Sequence, residues 1–97
     1  MDNDAKMLKE MGDALVDLQV KYRSSSLSDR MALKPSLEEL LNDYADYQLR
    51  LLKEGVITTE GDLQEMANIR EEVDKAADIQ TMVKVLARTI AFIATKV

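Results

Sequence analysis

The chain closes on Ile79 to Val97, IQTMVKVLARTIAFIATKV, and how this stretch is covered decides the fold. At helical periodicity Ile79, Val83, Leu86, Ile90, Ile93 and Val97 fall on one narrow stripe, spaced four, three, four, three and four apart, with Met82, Ala87 and Ala94 beside it. Opposite lie Lys84, Arg88 and Thr95, while Val85 and Phe92, one heptad apart, make a second apolar spot next to that polar side. The stripe suits the protein's own core, and the spot offers a second contact. A membrane-spanning helix needs about 20 predominantly apolar residues, and a cation at its centre costs at least about 2.5 kcal/mol. Arg88 stands mid-segment between Lys84 and Lys96, so no membrane span is expected.

Outward from this stretch, the composition is that of a single helical domain. The chain has 97 residues, of which 46% are hydrophobic but only 4% aromatic, so its core must be aliphatic and rich in methionine. Gly and Pro are scarce and apolar spacings near 3.5 recur, which points to an all-α fold. With no cysteine and no histidine, disulfides, thiol chemistry and the commonest general base and metal ligand are missing. The acidic, amphipathic beginning of the sequence is not that of a secretory signal, and the cytoplasm is the expected location. The net charge of −5 disfavours nonspecific nucleic-acid binding, but the charge is uneven. Residues 1–20 carry −3, 21–34 carry +3, 35–78 carry −8 and 79–97 carry +3, so the basic last helix can lie against the acidic middle.

The first helix is expected from Asp4 to Arg23, with Leu8, Met11, Leu15, Leu18 and Tyr22 as its buried seam. Gly12 interrupts it at a cost of about 1 kcal/mol relative to Ala and marks either close approach by another helix or a hinge. Ser24-Ser25-Ser26 ends the helix, and a loop is expected over 24–35, with Leu27 and Met31 tacking it down and Lys21, Arg23, Arg30 and Lys34 forming a positive cluster. Pro35 and Ser36 then open a second helix, 36–54, because Ser36 and Glu39 have capping-box spacing. Leu37, Leu40, Leu41, Tyr44, Tyr47, Leu51 and Leu52 give it a broad apolar face, and Gly55 stops it. Tyr44 and Tyr47 lie on adjacent turns, where they form either the edge of the core or a partner-binding pair.

Gly55 to Asp62 reads as a helix-to-helix joint, with Thr58 or Thr59 as the next N-cap. The run Leu51-Leu52-Lys53-Glu54-Gly55-Val56-Ile57-Thr58 resembles the helical hairpin of short SHOCT-type domains, in which a Gly-x-Ile-Thr turn joins two helices. The likeness implies such a turn and carries no function, and Gly61 stands where those domains have an acid. The third helix turns Leu63, Met66, Ile69, Val73 and Ala76 inward and runs towards Ile79 without a Gly or Pro. Residues 60–97 are therefore either one long helix or two, broken near Ala77-Asp78 with Asp78 as a cap.

The expected architecture is a bundle of three to four helices with a long C-terminal helix. An unbroken 60–97 helix outruns its two partners, so completion by a homodimer through that helix is expected. No cofactor, metal or catalytic constellation is expected, since the carboxylates of Glu38, Glu39, Asp43 and Asp46 have no histidine to complete a di-metal site. Two function classes remain. One is a non-enzymatic protein-protein interaction module, an adaptor or regulator of a size and composition that fit a bacterial or phage accessory protein. The other is a nucleic-acid-associated regulator using the basic last helix and the 21–34 segment. Candidate partner contacts are Val85, Phe92, Tyr44, Tyr47, Lys84 and Arg88.

Overall fold

A computed structural model describes residues 2–55 and 57–97 as four α-helices, with no strand among them. They are α1 (Asn3–Arg23), α2 (Leu27–Glu54), α3 (Glu60–Lys75) and α4 (Ile79–Ala94). The all-α bundle expected from composition and periodicity is what forms. Asp2 caps α1 by accepting from Ala5 N, and Thr59 caps α3 in a reciprocal box with Asp62. Val56, inside the expected Gly55–Asp62 joint, lies outside the described residues.

Two boundaries differ from the reading of the sequence. The expected loop 24–35 is only three residues long, because Ser26 accepts from Asp29 N and starts α2 at Leu27. Pro35 therefore sits inside a 28-residue helix and Ser36 caps nothing. An interior proline lacks a helical N–H and crowds the preceding turn. Here the extra turns are anchored by Leu33, which is buried, while Pro35 itself faces solvent.

The second difference concerns the end of the chain, which is two helices rather than one long one. Ala76 is extended at φ −67°, ψ 118°, and Asp78 caps α4 in a box with Thr81. Lys21 of α1 donates to the carbonyls of Asp74 and Ala76, which α3 leaves unsatisfied where it stops. No Gly or Pro is needed for this break. The expectation of a dimer drawn from an over-long helix loses its basis, since α4 is covered within the chain.

Polar contacts fix the helix directions. Asp4 lies by Thr58, Glu10 by Arg70 and Lys21 by Ala76, so α1 and α3 run parallel. Arg50 of α2 reaches the Lys96 carbonyl just past α4, so that pair is parallel too. Tyr44 to Leu8, and Arg88 to Glu65 and Glu72, make α1/α2 and α3/α4 antiparallel. Packing occurs between α1 and α2, α2 and α4, α4 and α3, and α3 and α1. Helices α2 and α3, although consecutive, are diagonal and do not pack together, so they do not form the packed helical hairpin of the SHOCT-type likeness.

The core is built from Met7, Met11 and Leu18 of α1, Leu33, Leu40 and Tyr47 of α2, Met66, Ile69 and Val73 of α3, and Leu86 and Ile93 of α4. Gly12 serves close approach: a Cβ there would lie 3.1 Å from the Tyr44 hydroxyl. On α4 the buried arc is Met82, Val85, Leu86, Thr89 and Ile93, rotated from the expected stripe. Val83 is 49% exposed and Val85 only 6%. Thr89, wholly buried, is satisfied by donating to the Val85 carbonyl.

Two outcomes follow for stability. Asp4 is 8% exposed and accepts from both Ile57 N and Thr58 N, so Asp4→Ala strands two donors. Hydrogen bonds to a charged group are each worth about 1.5–3 kcal/mol, and Asp4→Ala should cost about 2–3 kcal/mol in urea unfolding, with Asp4→Asn losing less. Val85→Asp should unfold the chain, costing several kcal/mol for an unpaired buried charge, whereas Val83→Asp should stay within about 1 kcal/mol of the wild type. Circular dichroism melts of the two proteins check the core face, and the reverse order would overturn it.

Candidate interaction surface

The six residues singled out from sequence do not form one surface. Val85 lies in the core, so it is not part of a second contact spot. Phe92 is half-buried against the same core, with the Lys96 ammonium 5.3 Å from its ring centre. Tyr47 is completely buried and shares a 2.8 Å hydrogen bond with Thr58 Oγ1, and Tyr44 is half-buried and donates to the Leu8 carbonyl at 3.1 Å. Burial pushes both phenols above their ordinary pKa, with the Asp13 carboxylate adding to the effect at Tyr44. Tyr44 is thus at the core edge, one of the two expected roles of the pair, while Tyr47 lies wholly inside the core. Lys84 is exposed, and Arg88 is held by Glu65 at 2.8 Å and by Glu72.

The expected docking of the basic last helix on the acidic middle is realised. Arg88 pairs with two acids of α3, and Lys96 meets Asp62 at 2.5 Å with both side chains 17% exposed. On the other side of α3, Arg70 faces Glu10, Asp13 and Asp17 of α1. The flanks that include α3 are therefore crowded with intramolecular charge pairs. Among the described residues no group of three or more acidic side chains is placed to hold a metal ion. None of their helices is long and apolar enough to cross a membrane.

What sequence reasoning missed lies on the opposite flank. Among the described residues eight large apolar side chains are exposed, and six of them, Val16, Val20, Leu27, Met31, Leu49 and Leu52, belong to α1 and α2. The other two, Val83 and Val97, sit on and just beyond α4, and α3 has none. At 3.6 residues per turn Leu27, Met31, Leu49 and Leu52 share a sector of about 60° on the side of α2 away from Leu33, Leu37 and Leu40. Exposed Lys34, Glu38, Asn42 and Ala45 continue that stripe between the two apolar ends. Beside Leu52, a groove of about 440 Å³ runs between α1 and α2, lined by Ala5, Leu8, Gln48 and Leu51. The signal was present in the sequence as apolar residues lying off the buried seam: Val16 and Val20 on α1, and Leu49 on α2.

Comparison with family models, with curated proteins and with solved structures yields no match, so the chain's own residues carry the functional argument.

The Asp62–Lys96 pair gives a pH-dependent outcome. Burial pushes the Asp62 carboxyl up, but Lys96 and the Thr59 donors outweigh it and hold the pKa below the ordinary 3.8. The unfolded chain protonates at the ordinary value while the folded one resists, so the pair's contribution is complete above it and is lost as pH falls through the depressed folded pKa. Lys96→Met should therefore lower unfolding free energy at neutral pH, with the deficit shrinking below about pH 4. Urea unfolding at both pH values measures this. A deficit independent of pH would mean that Lys96 acts through packing on Phe92 rather than through Asp62.

Proposed function

We propose that this protein is a small, non-enzymatic protein-protein interaction module, an adaptor or regulator, whose contact surface is the α1/α2 flank. The observation that carries the reading is that, among the described residues, six of the eight exposed large apolar side chains belong to α1 and α2, four of them on one sector of α2. Apolar residues scattered singly over a surface are ordinary, whereas an apolar cluster at each end of one helix sector offers a partner two anchoring points. Leu52 is 84% exposed and Met31 70%, and methionine adapts readily to a partner's shape. The non-enzymatic reading rests on a sequence with neither histidine nor cysteine, and a cytoplasmic setting remains part of the proposal.

A nucleic-acid role is disfavoured by what the cations already do. Phosphate binding needs several uncommitted Lys and Arg on one side. Of the seven cations that reading invokes, Arg88 and Lys96 are paired with acids, Lys21 is committed to two carbonyls and Lys34 lies one turn from Glu38, which leaves Arg23, Arg30 and Lys84. With α2 beginning at Leu27, the positive cluster expected over 21–34 is divided between two helices.

Affinity capture from a lysate of the source organism tests the reading. The immobilised protein should retain partner proteins through nuclease treatment, and Leu52→Asp should lose them while keeping the wild-type circular dichroism spectrum. Retention that nuclease abolishes, or that Leu52→Asp leaves unchanged, would refute the proposed surface.

A further inference from the structure

The two apolar ends of α2 are matched to one another, and we infer that the α1/α2 flank docks on the same flank of a second copy of this chain, with α2 antiparallel to its mate. This rests on the reading of the flank as a contact surface and names its occupant. Leu27 and Leu52 are 25 residues apart, roughly 37 Å along the helix. A partner must therefore present two apolar clusters at that spacing with a polar stretch between them. Helix α2 itself has that pattern. A two-fold axis across α2 near residue 40 places Leu27 on the partner's Leu52 and Met31 on the partner's Leu49, one register satisfying both pairs to within a residue. The same rotation carries the protruding Met31 and Leu27 of each copy to the end where the other has its groove of about 440 Å³. Each end supplies what the other lacks.

Area and charge are consistent with this occupant. The molecule is 40 Å long and 18 to 22 Å across, so one flank offers roughly the 800 Å² per partner that a stable specific interface buries. Among the charges on α1 and α2, Lys9 lies 3.0 Å from Asp13 and Lys34 one turn from Glu38, and exposed Lys6, Arg23 and Lys53 stand against exposed Asp2, Glu39, Asp46 and Glu54, so charge of both signs is interspersed there. The outer side of α3, with Glu60, Glu71 and Asp74 exposed, would instead oppose like charges across a two-fold axis. An isologous contact on α1/α2 is thus favoured by apolar complementarity and by low net charge together.

Sedimentation equilibrium and light scattering on the whole chain at about 100 µM should show a dimer, and Met31→Asp and Leu52→Asp should each raise its dissociation constant by about 30-fold or more. Val83→Asp, on α4 and outside the proposed contact, should leave the constant unchanged, and the helical signal of all three should match the wild type. Register is read by oxidising a mixture of Met31→Cys and Leu49→Cys chains, since the natural sequence has no thiol. The mixture should cross-link as a heterodimer, and neither variant alone should cross-link. A monomer at that concentration, a dimer indifferent to both aspartates, or preferential cross-linking of like variants would each overturn the inference. A monomer that still captures host proteins through Leu52 would overturn the second-copy occupant and leave the interaction module standing.

Discussion

The carboxylate of Asp4 holds the bundle's connectivity together. It accepts from the backbone N–H of Ile57 and Thr58, while Asn3 donates to the Thr58 carbonyl and Tyr47 shares a hydrogen bond with the Thr58 hydroxyl. The start of α1, the last turns of α2 and the approach to α3 thus meet on one threonine. That meeting is required by the topology. Because α2 and α3 are diagonal, the chain must cross the end of the bundle, and backbone there is taken away from water. A buried donor left unpaired costs more than a made hydrogen bond gains, so the crossing depends on side chains placed to receive it. Gly55, at φ +79°, lets the chain leave α2 at the angle the crossing needs.

Around that crossing the helices are arranged by different forces on different flanks. Helix α3 is bordered by ion pairs on both sides, Arg70 to three acids of α1 and Arg88 and Lys96 to acids of α3 itself. Exposed pairs contribute little to stability, typically under about 1 kcal/mol, but they select register and neighbour. The α1/α2 contact relies instead on close approach, with Gly12 making room for Tyr44. Charge compensation between elements therefore finishes on the α3 flanks, and most of the exposed large apolar side chains are left on α1 and α2. This division of labour between the flanks is why the proposed contact surface is placed on α1 and α2.

Much of this was legible in the residues. The seams of α1 and α3 follow from local spacing, because each side chain involved acts within a turn or two of its neighbours, whereas the structure chose Thr59 over Thr58 as the cap and close approach over a hinge at Gly12, where Tyr44 comes from another helix. Pro35 misled for an equally local reason. Proline favours the first turn of a helix, but the local cap at Ser26 together with the burial of Leu33, a tertiary fact, extends the helix eight residues before it. Among the candidate contacts, Val85 and Tyr47 proved to be core and Arg88 an internal partner. Leu27 and Met31 were read as pins for a loop and instead project from a helix.

By itself, the sequence determined that the protein would be helical, where most of its apolar periodicity lies, and that the basic end could compensate the acidic middle. These are properties of spacing and composition, and they survive any arrangement that buries the seams. The tertiary structure alone decided which arc of α4 is covered. Ile79, Met82, Val83, Val85, Leu86, Ile90, Phe92 and Ile93 spread over much of its circumference, and one residue of shift rotates a helix by about 100°. Only the positions of α2 and α3 distinguish Val85 inside from Val83 outside. The break at Ala76 to Asp78 was settled in the same way, by Lys21 reaching from α1 to carbonyls more than fifty residues away.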